Sequence, residues 1–180
     1  EQLRTDLKTL HGTGQVEALT ICFINAYING AHEKRAAEIA AEIFTDTPIS
    51  ISSDVVPEMQ EYERTETTVV NSYVRPEVAS YVSNLQAALD DKMGSDTQLS
   101  ILRSDGGLAS ARASAESPVN MLMSGPAGGV SGAIYFCSRA GYDNILTCDM
   151  GGTSTDVALI QNSRARVRRE TIVADVRVRA

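Results

Sequence analysis

Residues 144–161 place two apolar runs, Asn144–Met150 and Asp156–Gln161, on either side of Gly151-Gly152-Thr153-Ser154-Thr155. Runs of this length rich in Ile, Leu, Val and Thr are expected as buried strands, and paired glycines between them are a turn signal. A chain with this feature has to build sheet here, and it has to leave Asp149 and Asp156 at the strand ends beside the bend. Paired glycines let the main chain take positive φ and approach a ligand closely. Successive N–H groups in such a bend form an anion-binding concavity, and Thr153, Ser154 and Thr155 add hydroxyl donors. The two acids suit Mg²⁺, which takes few carboxylates and keeps several waters. These are the parts of a metal–nucleotide phosphate site, which works by positioning and charge neutralisation. The same residues also make an ordinary Gly-Gly hairpin turn that needs no ligand. Spacing alone leaves both readings open.

Just upstream, Gly125, Gly128, Gly129 and Gly132 fall at i, i+3, i+4 and i+7, one face of a helix. A glycine inside a helix costs about 0.8–1.0 kcal/mol relative to alanine, so four on one face call for the close approach of another backbone or a moving lobe. Ser124 is expected as the N-cap, with Pro126 in the first turn. A flexible glycine loop is the alternative.

The rest of the chain alternates helix-period and strand-like segments. Leu3, Leu7 and Leu10 predict a helix ending near Gly12 and Gly14, and Glu17–Ile24 a short strand. Ala36, Ile39, Ala40 and Ile43 predict a second helix, and Ile49–Ser53 a second strand. Pro76 is expected to open a third helix, with Val78, Tyr81, Val82, Leu85 and Leu89 on one face. Gln98–Leu102 predicts a strand leaving through Asp105-Gly106-Gly107, and Ser104–Ser117 reads as a junction. The order predicts an α/β fold with a largely parallel sheet. Residues 1–115 are expected in a first lobe and 116–180 at the start of a second.

Charge and cysteines narrow the function classes. Residues 1–163 carry 10 basic and 21 acidic side chains, net −11; residues 164–180 carry six arginines against Glu170 and Asp175, net +4. Arg166, Arg168, Arg177 and Arg179 alternate with Val167, Ala174, Val176 and Val178, which favours strands with one solvated face over a nucleic-acid patch. The acidic remainder would repel phosphates, so no nucleic-acid partner is expected. No apolar stretch reaches the roughly eighteen residues of a membrane helix, and no membrane association is expected. Cys22, Cys137 and Cys148 lack CxxC spacing and are expected as buried, reduced thiols of a cytoplasmic protein. Glu1 in place of Met, with no signal-peptide pattern, predicts a segment of a longer chain. His11 and His32 lack the companions of a zinc site, and Glu61, Glu63, Arg64 and Glu66 read as a solvated helix face. P-loop, dinucleotide and serine-hydrolase motifs are missing.

The glycine helix followed by the Asp149–Asp156 hairpin resembles the middle of the actin-like (ribonuclease H-like) ATPase fold. More closely, the chain resembles the hydantoinase A family of N-methylhydantoinases, 5-oxoprolinases and acetone and acetophenone carboxylase subunits. The resemblance rests on Ala31-His32-Glu33, Glu61-Tyr62-Glu63-Arg64-Thr65, Thr67–Asn71, Tyr73-Val74-Arg75-Pro76, Ser124–Gly129 and Asp149–Asp156. It implies part of a two-lobed ATPase that uses ATP and Mg²⁺ to activate the carbonyl of a cyclic amide or imide of hydantoin or 5-oxoproline type for hydrolysis; the alternatives are a subunit of an ATP-dependent acetone- or acetophenone-type carboxylase and a non-catalytic nucleotide-binding scaffold. A hydantoinase B-type partner subunit is also implied, and because the resemblance runs through Glu61, Glu63 and Arg64 it leaves a lobe-interface or substrate-side role open for that cluster beside the solvated face. Carried over, Gly151, Gly152, Thr153, Ser154, Thr155, Asp156, Gly125 and Gly128 are expected to bind the nucleotide. Asp149 is expected beside the metal or attacking group, as the catalytic residue and metal ligand. Asp105 stands where the family usually has Asn. The family's first phosphate loop and adenosine segment are outside these 180 residues, so the segment alone is expected to be inactive.

Overall fold

The computed structural model describes residues 1–173 and 176–179, with nothing said of the Val173 side chain; Ala174 and Asp175, counted in the charge and alternation above, lie outside the described residues. Helix α1 (Gln2–His11) forms where the leucine spacing predicts and ends at Gly12. Strands β1 (Leu19–Ile21) and β2 (Ile49–Ile51) pair in parallel, Leu19 opposite Ile49. A parallel pair needs a crossover connection, and α2 (Ala31–Ala41) supplies it. Leu7, Ala40 and Phe44 make a small apolar core, with Val16, Ile39 and Ile43 packed against it.

A short helix α3 (Ser52–Val55) leads to α4 (Glu61–Met93), which starts at Glu61 rather than at Pro76; Pro76 lies inside it. Proline removes one i→i−4 bond without removing the packing that holds the helix on either side. Apolar periodicity misses the first half because its buried face is polar: Arg64, Thr67, Thr68, Asn71 and Ser72. Arg64, expected on a solvated face, is fully buried together with Glu33.

These two charges meet through Ser52. Glu33 Oε1 accepts from the Ser52 hydroxyl (2.7 Å) and the Phe23 amide (2.7 Å), and its Oε2 from the Ser53 amide (2.8 Å). Arg64 Nε donates to Ser52 Oγ (3.1 Å), Nη1 to the Glu58 carbonyl (2.9 Å) and Nη2 to the Phe23 carbonyl (2.9 Å). Desolvation pushes the Glu33 pKa up, but hydrogen bonds from Ser52, Ser53 and Phe23 outweigh it and leave the carboxyl below its ordinary value. Lower on α4, Asn71 Nδ2 donates to Ser50 Oγ (3.2 Å), and its Oδ1 accepts from the Val119 amide (3.2 Å). A polar seam thus ties α4 to both sides of the chain.

Ser104–Ser117, expected as a junction, contains ordered elements instead. Strands β3 (Ser100–Leu102) and β4 (Leu108–Ser110) form an antiparallel hairpin, followed by α5 (Ala111–Glu116), which Ser110 caps by accepting from the Ala113 amide (3.2 Å). A 3₁₀ turn over Pro118–Met121 leads to α6 (Ser124–Arg139), the glycine-faced helix. Next come β5 (Ile145–Met150), β6 (Thr155–Gln161) and β7 (Arg164–Ala165), one antiparallel sheet, and then the antiparallel pair β8 (Glu170–Val173) and β9 (Val176–Arg179).

The largely parallel sheet expected from element order is therefore corrected: among the described residues only β1–β2 is parallel. Short turns between consecutive strands allow only antiparallel pairing. The strand reading of the basic tail holds at β9, where Val178 is buried and Arg177 exposed; Arg166 and Arg168 precede β8 outside any strand. Cys148, expected buried, is exposed, while Cys22 and Cys137 are partly buried. Among the described residues no helix is long and apolar enough to cross a membrane.

Candidate phosphate and metal site

The β5–β6 ladder sets Asp149 opposite Asp156 and Met150 opposite Thr155. Alternation then gives the hairpin two faces. Thr147, Asp149, Asp156 and Ala158 border a cleft of about 330 Å³ under α6, together with Pro126 and Gly129. On the other face Leu146, Cys148, Met150, Val157 and Leu159 are exposed, so the strands expected to be buried are covered on one side only. One helix can cover one face of a hairpin, and α6 takes the face bearing the acids.

At the tip, the Gly151 amide donates to the Ser154 carbonyl (2.9 Å) and closes the bend. Among the described residues the amides of Gly152, Thr153 and Ser154 meet no protein acceptor, and residues 151–155 are all exposed. Neither Gly151 nor Gly152 has positive φ, contrary to expectation. An added Cβ at Gly152 would meet nothing within 4 Å, so the bend there faces open space. These free amides and the hydroxyls beside them are suited to an anion.

Directly opposed carboxylates repel, with Cβ atoms about 4.5–5.5 Å apart in such a pair. Among the described residues neither Asp149 nor Asp156 has an ion-pair partner. Among the described residues no group of three His, Cys, Asp or Glu side chains gathers there, and the acids at the bend are these two carboxylates. That donor set fits Mg²⁺.

The glycine face of α6 divides. A Cβ at Gly128 would lie 2.7 Å from Leu102 Cδ2, and one at Gly129 would lie 3.8 Å from Asp149 Oδ2. Only at Gly128 would a Cβ collide, and there with the end of the Leu102 side chain of β3 rather than with another backbone; Gly129, at ordinary contact distance from Asp149, borders the cleft and is a site residue that the spacing alone does not single out. Gly125 and Gly132 have nothing within 4 Å. Ser124 does not cap the helix; Met123 stands at the cap position, its amide donating to Ser104 Oγ (3.1 Å). Asp105 is occupied locally: Oδ1 accepts from the Gly107 amide (2.8 Å) and Oδ2 pairs with Arg103 (2.9 Å). Because Gly132 is mid-helix with open space around it, Gly132→Ala is expected to stabilise the full-length protein by about 0.8–1.0 kcal/mol. A lower melting temperature in thermal unfolding would show that another part of the protein packs against this face.

The Hydantoinase/oxoprolinase family model matches residues 64–180. The chain is 34% identical over 157 residues to caprolactamase subunit alpha of Pseudomonas jessenii, a match covering 87% of this chain and 22% of that one. With the 5-oxoprolinase of Saccharomyces cerevisiae it shares 32% over 179 residues, 97% of this chain and 13% of the relative. A nucleotide-free structure of acetone carboxylase, from work on ATP-dependent acetone carboxylation, superposes with a TM-score of 0.86 at 28% identity, covering 98% of this chain and 25% of the other. The chain thus spans about a quarter or less of the length of these relatives, and the α/β ATPase-like fold expected from the sequence holds.

Proposed function

Since this chain belongs to the hydantoinase/oxoprolinase family, we propose that it is a segment of an enzyme subunit that opens a cyclic amide or imide, of hydantoin or 5-oxoproline type, at the expense of ATP. The observation that carries this reading is the exposed β5–β6 bend, with unbonded amides at Gly152, Thr153 and Ser154 beside two opposed, unpaired acids. Bound ATP would supply a phosphoryl group that makes an unreactive amide carbonyl electrophilic, and Mg²⁺ would offset phosphate charge. The amides of Gly152–Ser154 and the hydroxyls of Thr153, Ser154 and Thr155 would bind phosphate oxygens. Asp149 and Asp156 would hold the metal, directly or through water. Gly129 keeps α6 free of a side chain against Asp149, and Gly125 keeps its first turn free for a ligand or second lobe.

Division of the chain into lobe segments 1–115 and 116–180 places α6 and the bend at the start of the second lobe. Relatives named as subunits of caprolactamase and acetophenone carboxylase support a partner subunit; this reading takes that partner to be of hydantoinase B type and the complex to be cytoplasmic. A second reading, an acetone-type carboxylase subunit, is favoured by the superposition over nearly the whole chain. The test is ADP release by the full-length subunit with its partner. Release dependent on hydantoin or 5-oxoproline supports the first reading. Release requiring both ketone and bicarbonate supports the second. Nucleotide binding without turnover on any of these would leave a scaffold and overturn both.

A further inference from the structure

A second cleft, of about 640 Å³, opens where the start of α6 meets the β8–β9 ribbon. Three arginines, Arg166, Arg168 and Arg177, line it, with Ser104 and Glu170. Glu170 is the acid that lines it, and it is already engaged: Oε1 accepts from Arg179 Nε (3.2 Å) and Nη2 (2.9 Å), while Oε2 is 3.7 Å from Arg177. Among the described residues Arg166 and Arg168 have no carboxylate partner. Ser104 Oγ accepts from the Met123 amide, so its own O–H remains available to donate. Three guanidinium groups lining one cleft repel one another unless an anion offsets them, and here they do so in a chain whose first 163 residues carry a net −11. That acidic surround disfavours a polyanion, and the volume falls in the range of small-molecule sites.

Position selects the ligand. Met123, at the start of α6, lines this cleft, while Pro126 and Gly129 on the same helix line the cleft that Asp149 and Asp156 border. At about 1.5 Å per residue the two lie about 5–9 Å apart along the helix, the reach of one small substrate. Guanidinium forks match a carboxylate bidentately. We propose that Arg166, Arg168 and Arg177 bind the carboxylate of an anionic cyclic amide and make the enzyme select such substrates over neutral lactams. This rests on the amide-opening function proposed above.

The test compares 5-oxoproline with 2-pyrrolidinone, the same ring without the carboxylate, using the full-length subunit and its partner. The wild-type KM for 5-oxoproline should be at least about tenfold below that for 2-pyrrolidinone, the difference of one charge-assisted contact. The double variant R166Q/R168Q, altering two exposed side chains, should raise the 5-oxoproline KM about 10- to 100-fold while the KM values for 2-pyrrolidinone and ATP stay put. Equal wild-type KM values for the two lactams, or an unchanged KM for 5-oxoproline in the variant, would overturn the proposal and leave the amide-opening reading standing. A parallel rise in the KM for ATP would overturn it by assigning the cleft to phosphate. If neither these lactams nor hydantoin releases ADP, the amide-opening reading fails, and calorimetric titration of 5-oxoproline decides this proposal separately. Binding that R166Q/R168Q weakens at least tenfold supports it; no binding to the wild type ends it.

Discussion

Arg64→Met is expected to be the most destabilising single substitution in this segment, costing about 3–5 kcal/mol, the usual penalty for breaking a buried charge network from one side. Against a total stability of about 5–15 kcal/mol, the full-length variant should melt well below the wild type or fail to accumulate as folded protein. Methionine fills much of the volume, so the loss is not a cavity. It removes the donors that serve the Phe23 and Glu58 carbonyls and Ser52 Oγ, and leaves Glu33 with no cation in its network. Lysine should not rescue the fold, because a single ammonium cannot replace the fixed fork that reaches three acceptors from Nε, Nη1 and Nη2. Glu33→Gln should also destabilise: its carboxylate accepts three donors, and an amide would turn an NH₂ toward one of them. Thermal unfolding of all three variants checks this. A melting temperature for Arg64→Met within a degree or two of wild type would mean that the polar seam does not hold α2, α3 and α4 together.

This same seam shows where the sequence could be read and where it could not. Helices α1 and α2, strands β1–β3 and the β5–β6 hairpin carry their own local signals: leucine spacing, β-branched runs and a glycine pair. The first half of α4 carries none, because its buried positions are Arg64, Thr67, Thr68, Asn71 and Ser72, which an apolar-periodicity argument counts as solvent-facing. Only tertiary partners, the Phe23 carbonyl and Ser52 above all, make those residues interior. Strand direction differs from the expectation for a related reason. Element order suggests crossovers, whereas β3–β4 and β5–β6 are local hairpins whose turns settle the sense of pairing. At the candidate site, the residue types and the opposition of Asp149 to Asp156 follow from the two-residue period of strands across a tight bend. That Gly129, rather than Gly128, faces Asp149 depends on the rotation of α6 about its own axis, which spacing alone leaves undetermined.

In the full-length enzyme Asp149→Asn is expected to cut turnover at least about tenfold, in the direction of losing a charged group that holds the metal–phosphate unit in place. Stability should move the other way. Asp149 and Asp156 are cross-strand neighbours with no basic partner among the described residues, so removing one charge relieves a repulsion that costs some tenths of a kcal/mol. Without nucleotide the variant should therefore melt at or slightly above the wild-type temperature. With ATP and Mg²⁺ the order should reverse, because ligand stabilisation grows as the logarithm of one plus ligand concentration over Kd and the variant binds the metal–nucleotide pair more weakly. A plain activity loss could come from distortion of the hairpin; a crossover in melting temperature between ligand-free and ligand-bound protein could not. Unchanged turnover, or equal Mg²⁺·ATP stabilisation of both proteins, would remove Asp149 from the site, and the exposed bend would then be a hairpin turn with no ligand to hold.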